Sequence, residues 1–292
     1  MKWKSIHIFY RGNENQDKLI ITIEEKLQKY VDKGEINKWF FIRYWEGGPH
    51  IRLRIQGNVN MHSIKKDILN YLAQNEVKIH ILKEEFYRNV NLKLEGFSEE
   101  LQLLPWYEAN SIEEIGYKPE LDRYGGNTNI IYSETLFYYS TILSLNVIKV
   151  SFGKKAPMRW LIAIFLIKNL LDHLSENQIL RVNTVDFLEY CYEYWENNTK
   201  NYEIPSREKL IKDILCNEKL YNQIVVEIIK ESAIGEKIIM NFNIILENME
   251  NKQKIHSIIF SQIHMFFNRL GISPELEKEC YAFMKGMWRN EE

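Results

Sequence analysis

Hydrophobic positions change period several times in the first 57 residues. Trp3 to Arg11 is rich in β-formers and reads as a strand. From Asp17 to Lys33 the apolar residues Leu19, Ile20, Ile23, Leu27, Tyr30 and Val31 recur at helical spacing. Gly34 follows, suited to the left-handed position that ends a helix. Lys38 to Trp45 is a second β-rich run, Glu46-Gly47-Gly48-Pro49 is a turn signal, and His50 to Ile55 alternates strictly. A hairpin of the second and third strands is therefore expected. Asn60 to Leu72 reads as a helix. Val77 to Phe86 and Val90 to Leu94 read as further strands. Glu95 to Tyr117 reads as irregular chain, and Tyr117 to Asn129 as a loop with a Gly pair. After Ile130 helical patterns dominate, at roughly 130–149, 156–173, 179–199, 206–231, 235–250, 252–270 and 274–288. Strands in front and helices behind predict an α+β fold, an N-terminal antiparallel sheet with helices packed against a mostly helical C-terminal half. No Pro/Gly/Ser-rich linker intervenes. One domain of 292 residues is expected, with a sheet-containing part at 1–128 and a helical part at 129–292.

Composition narrows the function classes. Lys and Arg number 38 against 40 Asp and Glu, a net charge of −2, without the basic excess of a nucleic-acid binder. No direct nucleic-acid contact is expected. Cys191, Cys216 and Cys280 are odd in number and form no CxxC pair, which argues against a zinc ribbon or a secreted disulfide scaffold. The longest apolar run, Trp160 to Ile167, falls far short of the roughly 20 residues of a bilayer span. The N-terminus lacks an apolar signal core, so a cytoplasmic location is expected. GxGxxG, P-loop, HExxH and GxSxG motifs are absent. His256 and His264 lie eight apart with no acidic residue at HExxH spacing. No cofactor and no metal are expected. The 17 Tyr, 14 Phe and 7 Trp are read mostly as core.

Three segments can carry chemistry. In GGPHIRLRI, residues 47–55, His50, Arg52 and Arg54 share one strand face, and Ile51, Leu53 and Ile55 the other. Alternation alone points first to a solvated face with ion-pair partners on neighbouring strands. The other reading is an anion grip, since guanidinium binds carboxylate or phosphate in paired hydrogen bonds. In YKPELDRYGG, residues 117–126, Pro119 and the Gly pair constrain a loop that carries Arg123 and Tyr124. The third segment is the helix SIIFSQIHMFFNRLGISPE, residues 257–275. Ile255, Ile258, Ile259, Phe266, Phe267 and Leu270 supply its buried stripe, while His256, Phe260, His264 and Asn268 lie on a second face. Asn268 is placed to orient His264 from one turn away. Ser273 and Pro274 then start the next helix as N-cap and first residue.

The ordered set of HIRLR, YKPELDRYGG followed by SETLF, and IHMFFNRLG, with WFFIRYW ahead of it, resembles the C-terminal elimination domain of class I lantibiotic dehydratases. That domain also occurs free-standing in thiopeptide biosynthesis. The resemblance spans residue 3 to about 272. It implies a lyase of ribosomal peptide natural-product biosynthesis. A separate tRNA-dependent glutamylation protein esterifies Ser or Thr of a precursor peptide, leader plus core. The elimination domain then removes glutamate to leave dehydroalanine or dehydrobutyrine. Matched by motif, the resemblance implies Arg54, Arg123 and His264 as catalytic, with Arg52, His50, Tyr124 and Asn268 binding substrate. One departure stands out: the family usually has Asp-Ser where this chain has Ser140-Thr141. Thiopeptide pyridine synthases share the scaffold and join two dehydroalanines in a formal [4+2] cyclisation with release of the leader. The intact Arg/Arg/His set favours elimination, whereas Ser140 and the aromatic richness favour cyclisation. The intact set also argues against a non-enzymatic scaffold that only presents the peptide.

Overall fold

The β-rich run at the front forms strand β1 (Trp3–Phe9) and the helical periodicity after it forms α1 (Asn13–Asp32), in a computed structural model that describes residues 2–88, 104–154, 157–199, 207–232 and 234–289. Gly34, at φ +68°, ends α1 as expected, with the Glu35 amide donating to the Tyr30 carbonyl at 2.9 Å. The hairpin follows: β2 (Ile36–Tyr44) and β3 (His50–Gly57) are antiparallel, with Tyr44 opposite His50. Helices α2 (Met61–Gln74) and α3 (Lys83–Arg88) and the short strand β4 (Ser111–Glu113) complete the first of two units, Met1–Lys118. The sheet order is β2-β3-β1-β4, all antiparallel. The fold class is α+β, as the order of the patterns predicts.

Register sorts the two faces of this sheet. Ile6, Phe41 and Leu53 are aligned across the strands, as are Ile8, Ile51 and Arg43. This face is buried together with Leu19, Ile20, Ile23 and Leu27 of α1 and Ile64, Ile68 and Leu72 of α2. Each such side chain contributes roughly 1.5–3 kcal/mol on leaving water. On this face Arg43 is ion-paired with Asp17 of α1 and also donates to Gln16 Oε1 at 3.2 Å.

Two readings of this unit need correction. Val77 to Phe86 does not form a strand. Residues 77–82 are irregular and Lys83–Arg88 is helical. The apolar residues of this segment find no surface to bury on, since Ile79 and Leu82 stay exposed. One strand-like link is mimicked by a side chain: Asn110 Oδ1 accepts from the Val77 amide at 3.0 Å, and Asn110 Nδ2 donates to the Val77 carbonyl at 3.1 Å. Val90 to Leu94 lies outside the described residues. Within the stretch read as irregular, β4 pairs with β1. At three residues it is too short to show a period.

The second unit, Pro119–Glu292, is helical among its described residues. It comprises a 3-10 turn at Asp122–Tyr124, then α4 (Gly126–Ser151), α5 (Pro157–Glu176), α6 (Thr184–Asn198), α7 (Arg207–Ser232), α8 (Ile234–Glu247), α9 (Ile255–Arg269) and α10 (Pro274–Arg289). The expected stripe of α9 is buried in full, from Ile255 to Leu270. Helices α6 and α10 are joined by Lys278–Glu196 at 2.7 Å and Lys285–Glu189 at 2.5 Å. Among the described residues no helix is long and apolar enough to cross a membrane.

Removing one partner of a buried ion pair strands the other. Asp17→Asn is therefore expected to destabilise the protein by about 3–5 kcal/mol in denaturant unfolding. The double substitution Asp17→Leu with Arg43→Met should recover most of that loss, because no charge is then left unpaired.

Candidate active site

In the first unit the alternating strand β3 presents Arg52, Arg54 and His50 on the sheet face away from α1. Register adds a residue that the sequence reading passed over: His7 of β1 lies directly opposite Arg52. His7 and His50 stack with centroids 4.8 Å apart at 22°. Phe9 lies 4.6 Å from the His50 ring and Tyr44 meets its edge at 5.8 Å. The face is not solvated. His50 has no exposed surface, and His7 and Arg54 expose 3% and 5%.

Hydrogen bonds fix the charge states. Arg52 Nε donates to His50 Nε2 at 3.2 Å, so the His50 proton sits on Nδ1, where it meets the Gly48 carbonyl at 2.8 Å. Arg54 Nη2 lies 3.3 Å from His7 Nε2, which must be the acceptor because guanidinium has none to offer. Burial, then the neighbouring His50, Arg54 and Arg52, lowers the His7 pKa to about 2. Burial likewise dominates for His50, lowered to about 3, against the opposing pull of the Gly48 carbonyl. Both imidazoles are neutral at physiological pH. Arg54 is brought to about 10 by burial and by Arg52, and so remains a cation. Its Cζ lies 5.4 Å from the Tyr117 ring centre, while its Nε and Nη1 are buried and meet no acceptor. Arg52 lies over the Tyr44 face at 3.4 Å. His50, expected to touch substrate, is fully buried here and accepts from Arg52.

In the second unit the 3-10 turn holds Arg123. Gly125, at φ +83°, closes that turn, and a Cβ there would come within 2.9 Å of Asn129 Nδ2 and 3.1 Å of Ile258 Cδ1. Only glycine fits both the angle and the space. Arg123 Nε donates to Ser261 Oγ on α9 at 3.1 Å, and Nη1 to Glu120 at 3.2 Å. Glu120 is 63% exposed, so that pair contributes little stability. Tyr124 is a core residue, 3% exposed and edge-on to Phe137 at 4.9 Å. Burial pushes its phenol up to about 12.

His264 lies three residues beyond Ser261 on α9, with its ring 5.0 Å from that of Trp195. Asn268 follows one turn later, half-buried. A carboxylate that sequence reading missed also reaches His264. His264 Nδ1 meets Glu277 Oε2 at 2.7 Å, and the Tyr281 hydroxyl donates to Glu277 Oε1 at 2.8 Å. Glu277 is fully buried. It sits in the first turn of α10, where the helix dipole favours an anion. Ser273 Oγ accepts from the Leu276 amide at 3.4 Å, the expected cap. The available signal was the Glu277/Tyr281 pair at i, i+4. The Ser140-Thr141 departure also finds its place: buried Arg269 donates to Thr141 Oγ1 at 3.1 Å and Ser140 Oγ at 3.3 Å.

A family model described as lantibiotic biosynthesis dehydratase C-term matches residues 3–287. The chain belongs to this family. Among curated relatives, this dehydratase C-terminal chain is 28% identical to the epidermin biosynthesis protein EpiB of Staphylococcus epidermidis. That match covers 94% of the chain and 25% of EpiB, so the chain spans about a quarter of the relative's length. Among solved structures, the pyridine synthase TbtD from thiomuracin biosynthesis aligns with a TM-score of 0.66 and 14% identity, over 99% of this chain and 98% of TbtD. The tRNA-dependent lantibiotic dehydratase MibB from Microbispora sp. 107891 aligns at 0.58 and 15%, over 100% of this chain and 28% of MibB. At these identities the structural likeness is one of fold.

The two neutral imidazoles make stability depend on pH. Each binds a proton in the unfolded chain below about pH 6.5 but not in the folded one, so stability falls as pH falls through that value. Together they add a slope of up to roughly 2.7 kcal/mol per pH unit between about pH 6 and pH 3. Urea unfolding between pH 5.5 and 4.5 should show a shallower slope for His7→Asn than for the natural chain.

Proposed function

We propose that the protein is a peptide-modifying lyase that eliminates glutamate from glutamylated Ser or Thr of a precursor peptide, leaving dehydroalanine or dehydrobutyrine. The observation that carries this reading is Arg54, a buried guanidinium held by neutral groups, with two donors meeting no acceptor. Such a cation suits a carboxylate. Glutamate supplies two, one as the leaving group and one that stays free in the ester.

In the elimination a base takes the α-proton and the C–H electrons form the Cα=Cβ bond. The Cβ–O bond breaks, and glutamate departs as a carboxylate. His264 is assigned the proton. Its Nδ1–H is committed to Glu277, which leaves Nε2 to accept, as in other carboxylate-oriented imidazoles. Arg54 and Arg123 are assigned to the glutamate, where contacts that strengthen as the leaving group gains charge lower the barrier. The precursor peptide is the substrate and a separate tRNA-dependent glutamylation protein is its supplier. The chain itself is assigned no contact with tRNA and a cytoplasmic place of action.

A second reading, pyridine formation by [4+2] cyclisation, is favoured by the fold likeness to TbtD along almost the whole of both chains and by Ser140 at the departed position. Mass spectrometry separates the two. Loss of glutamyl mass from a glutamylated peptide supports elimination. An untouched glutamylated peptide, with cyclisation of a dehydrated azole-containing one, overturns it.

Arg123→Ala should leave precursor carrying glutamyl esters, each seen as one added glutamyl residue. A lost charge-assisted contact of about 1.5–3 kcal/mol corresponds to about a 10- to 150-fold loss, and the melting temperature should hold because the turn leaves no core cavity. Arg54→Met should separate activity from stability more sharply: elimination is abolished, while denaturant unfolding shows a gain of about 1–4 kcal/mol, because an uncompensated buried charge is gone.

A further inference from the structure

The first unit holds two buried arginines in opposite ways. Arg43, on the helix-facing side of the sheet, is neutralised by Asp17. Arg54, on the other side, forms no ion pair among the described residues. It is held by the His7 imidazole at 3.3 Å and the Tyr117 ring at 5.4 Å. A carboxylate at the His7 position would hold the guanidinium more strongly and would relieve its burial. It would also occupy the charge that a bound anion needs. An imidazole with an open Nε2 holds the group in place and leaves that charge intact. His7 is itself kept in register by antiparallel pairing with Arg52 and by stacking on His50.

We propose that His7 is a positioning residue for the reaction: its neutral Nε2 fixes the Arg54 guanidinium without cancelling its charge, so that the positive charge is kept for the substrate's carboxylate. The role of Arg54 toward glutamate rests on the elimination reading. The bond between His7 and Arg54, and the need for a neutral acceptor there, do not.

The experiment compares His7→Gln with His7→Glu, side chains of equal length that differ in charge. Gln offers an uncharged oxygen near the place of Nε2, and Glu offers a carboxylate. Elimination from a glutamylated peptide should stay within about threefold of wild type in His7→Gln. It should fall by about 100-fold in His7→Glu, the scale of losing one preorganised donor to an oxyanion, although the new ion pair keeps or raises the melting temperature. Equal activity of the two variants, or an inactive His7→Gln with an active His7→Glu, would overturn the proposal. Should His7→Glu fail to fold, His7→Leu takes its place. It removes the acceptor and should lose activity relative to His7→Gln, and parity between Leu and Gln counts against the role.

A second readout does not depend on turnover. A hydrogen-bonded guanidinium rotates slowly about Cζ–Nη, so nitrogen-resolved NMR should show separate Arg54 Nη signals in wild type and His7→Gln and averaged ones in His7→Leu. Separate signals in all three sink the inference. If wild type shows the expected pattern but leaves a glutamylated peptide unchanged, the elimination reading fails and the positioning role stands.

Discussion

A buried positive charge that the protein declines to neutralise is the constraint around which the polar face of the first unit's sheet is built. Taking a guanidinium out of water is expensive, and folds usually offset the cost with a carboxylate, as Asp17 does for Arg43. Arg54 receives an imidazole and an aromatic face instead. The surroundings follow from that choice. His7 must stay unprotonated, so it is buried among cations that oppose its own charging. His50 must present Nε2 to Arg52, so its proton is tied to the Gly48 carbonyl at the hairpin turn. The turn and the two strands thus set protonation states as well as shape.

The second unit works by the opposite device. Its imidazole is supplied with an anion, Glu277, buried and completed by the Tyr281 hydroxyl. A carboxylate beside His264 favours one tautomer and leaves the far nitrogen to exchange protons. One unit therefore maintains an unsatisfied cation, and the other an imidazole with a buried carboxylate partner. Family membership and the fold shared with TbtD and MibB are compatible with more than one reaction, because fold and chemistry are separable. These local charge arrangements distinguish what the scaffold can do.

Much of this was legible in the chain. Strict alternation over His50 to Ile55 set both faces of β3, and the α9 stripe from Ile255 to Leu270 is buried as its spacing required. Ser273 and Pro274 marked the start of α10 because capping is a local matter. What the chain concealed depends on register and on packing between helices. Nothing in WKSIHIF says that His7 will face Arg52 and reach Arg54, since strand pairing is not local. Glu277 lies thirteen residues from His264, and only the packing of α10 against α9 brings them together. The strand reading of Val77 to Phe86 failed for the same reason: β-forming residues make a strand only where something lies against their apolar side, and Ile79 and Leu82 are exposed.

The Ser273–Pro274 cap has a consequence for how the sequence can drift. Glu277 stands within the first turn of α10, the turn that frays first if the cap is lost, and it reaches His264 from there. The hydroxyl of Ser273 thereby bears on how steadily the His264 imidazole is held. Under the proposed role of His264, loss of the cap would slow the chemistry through Glu277 alone, with no reacting group altered.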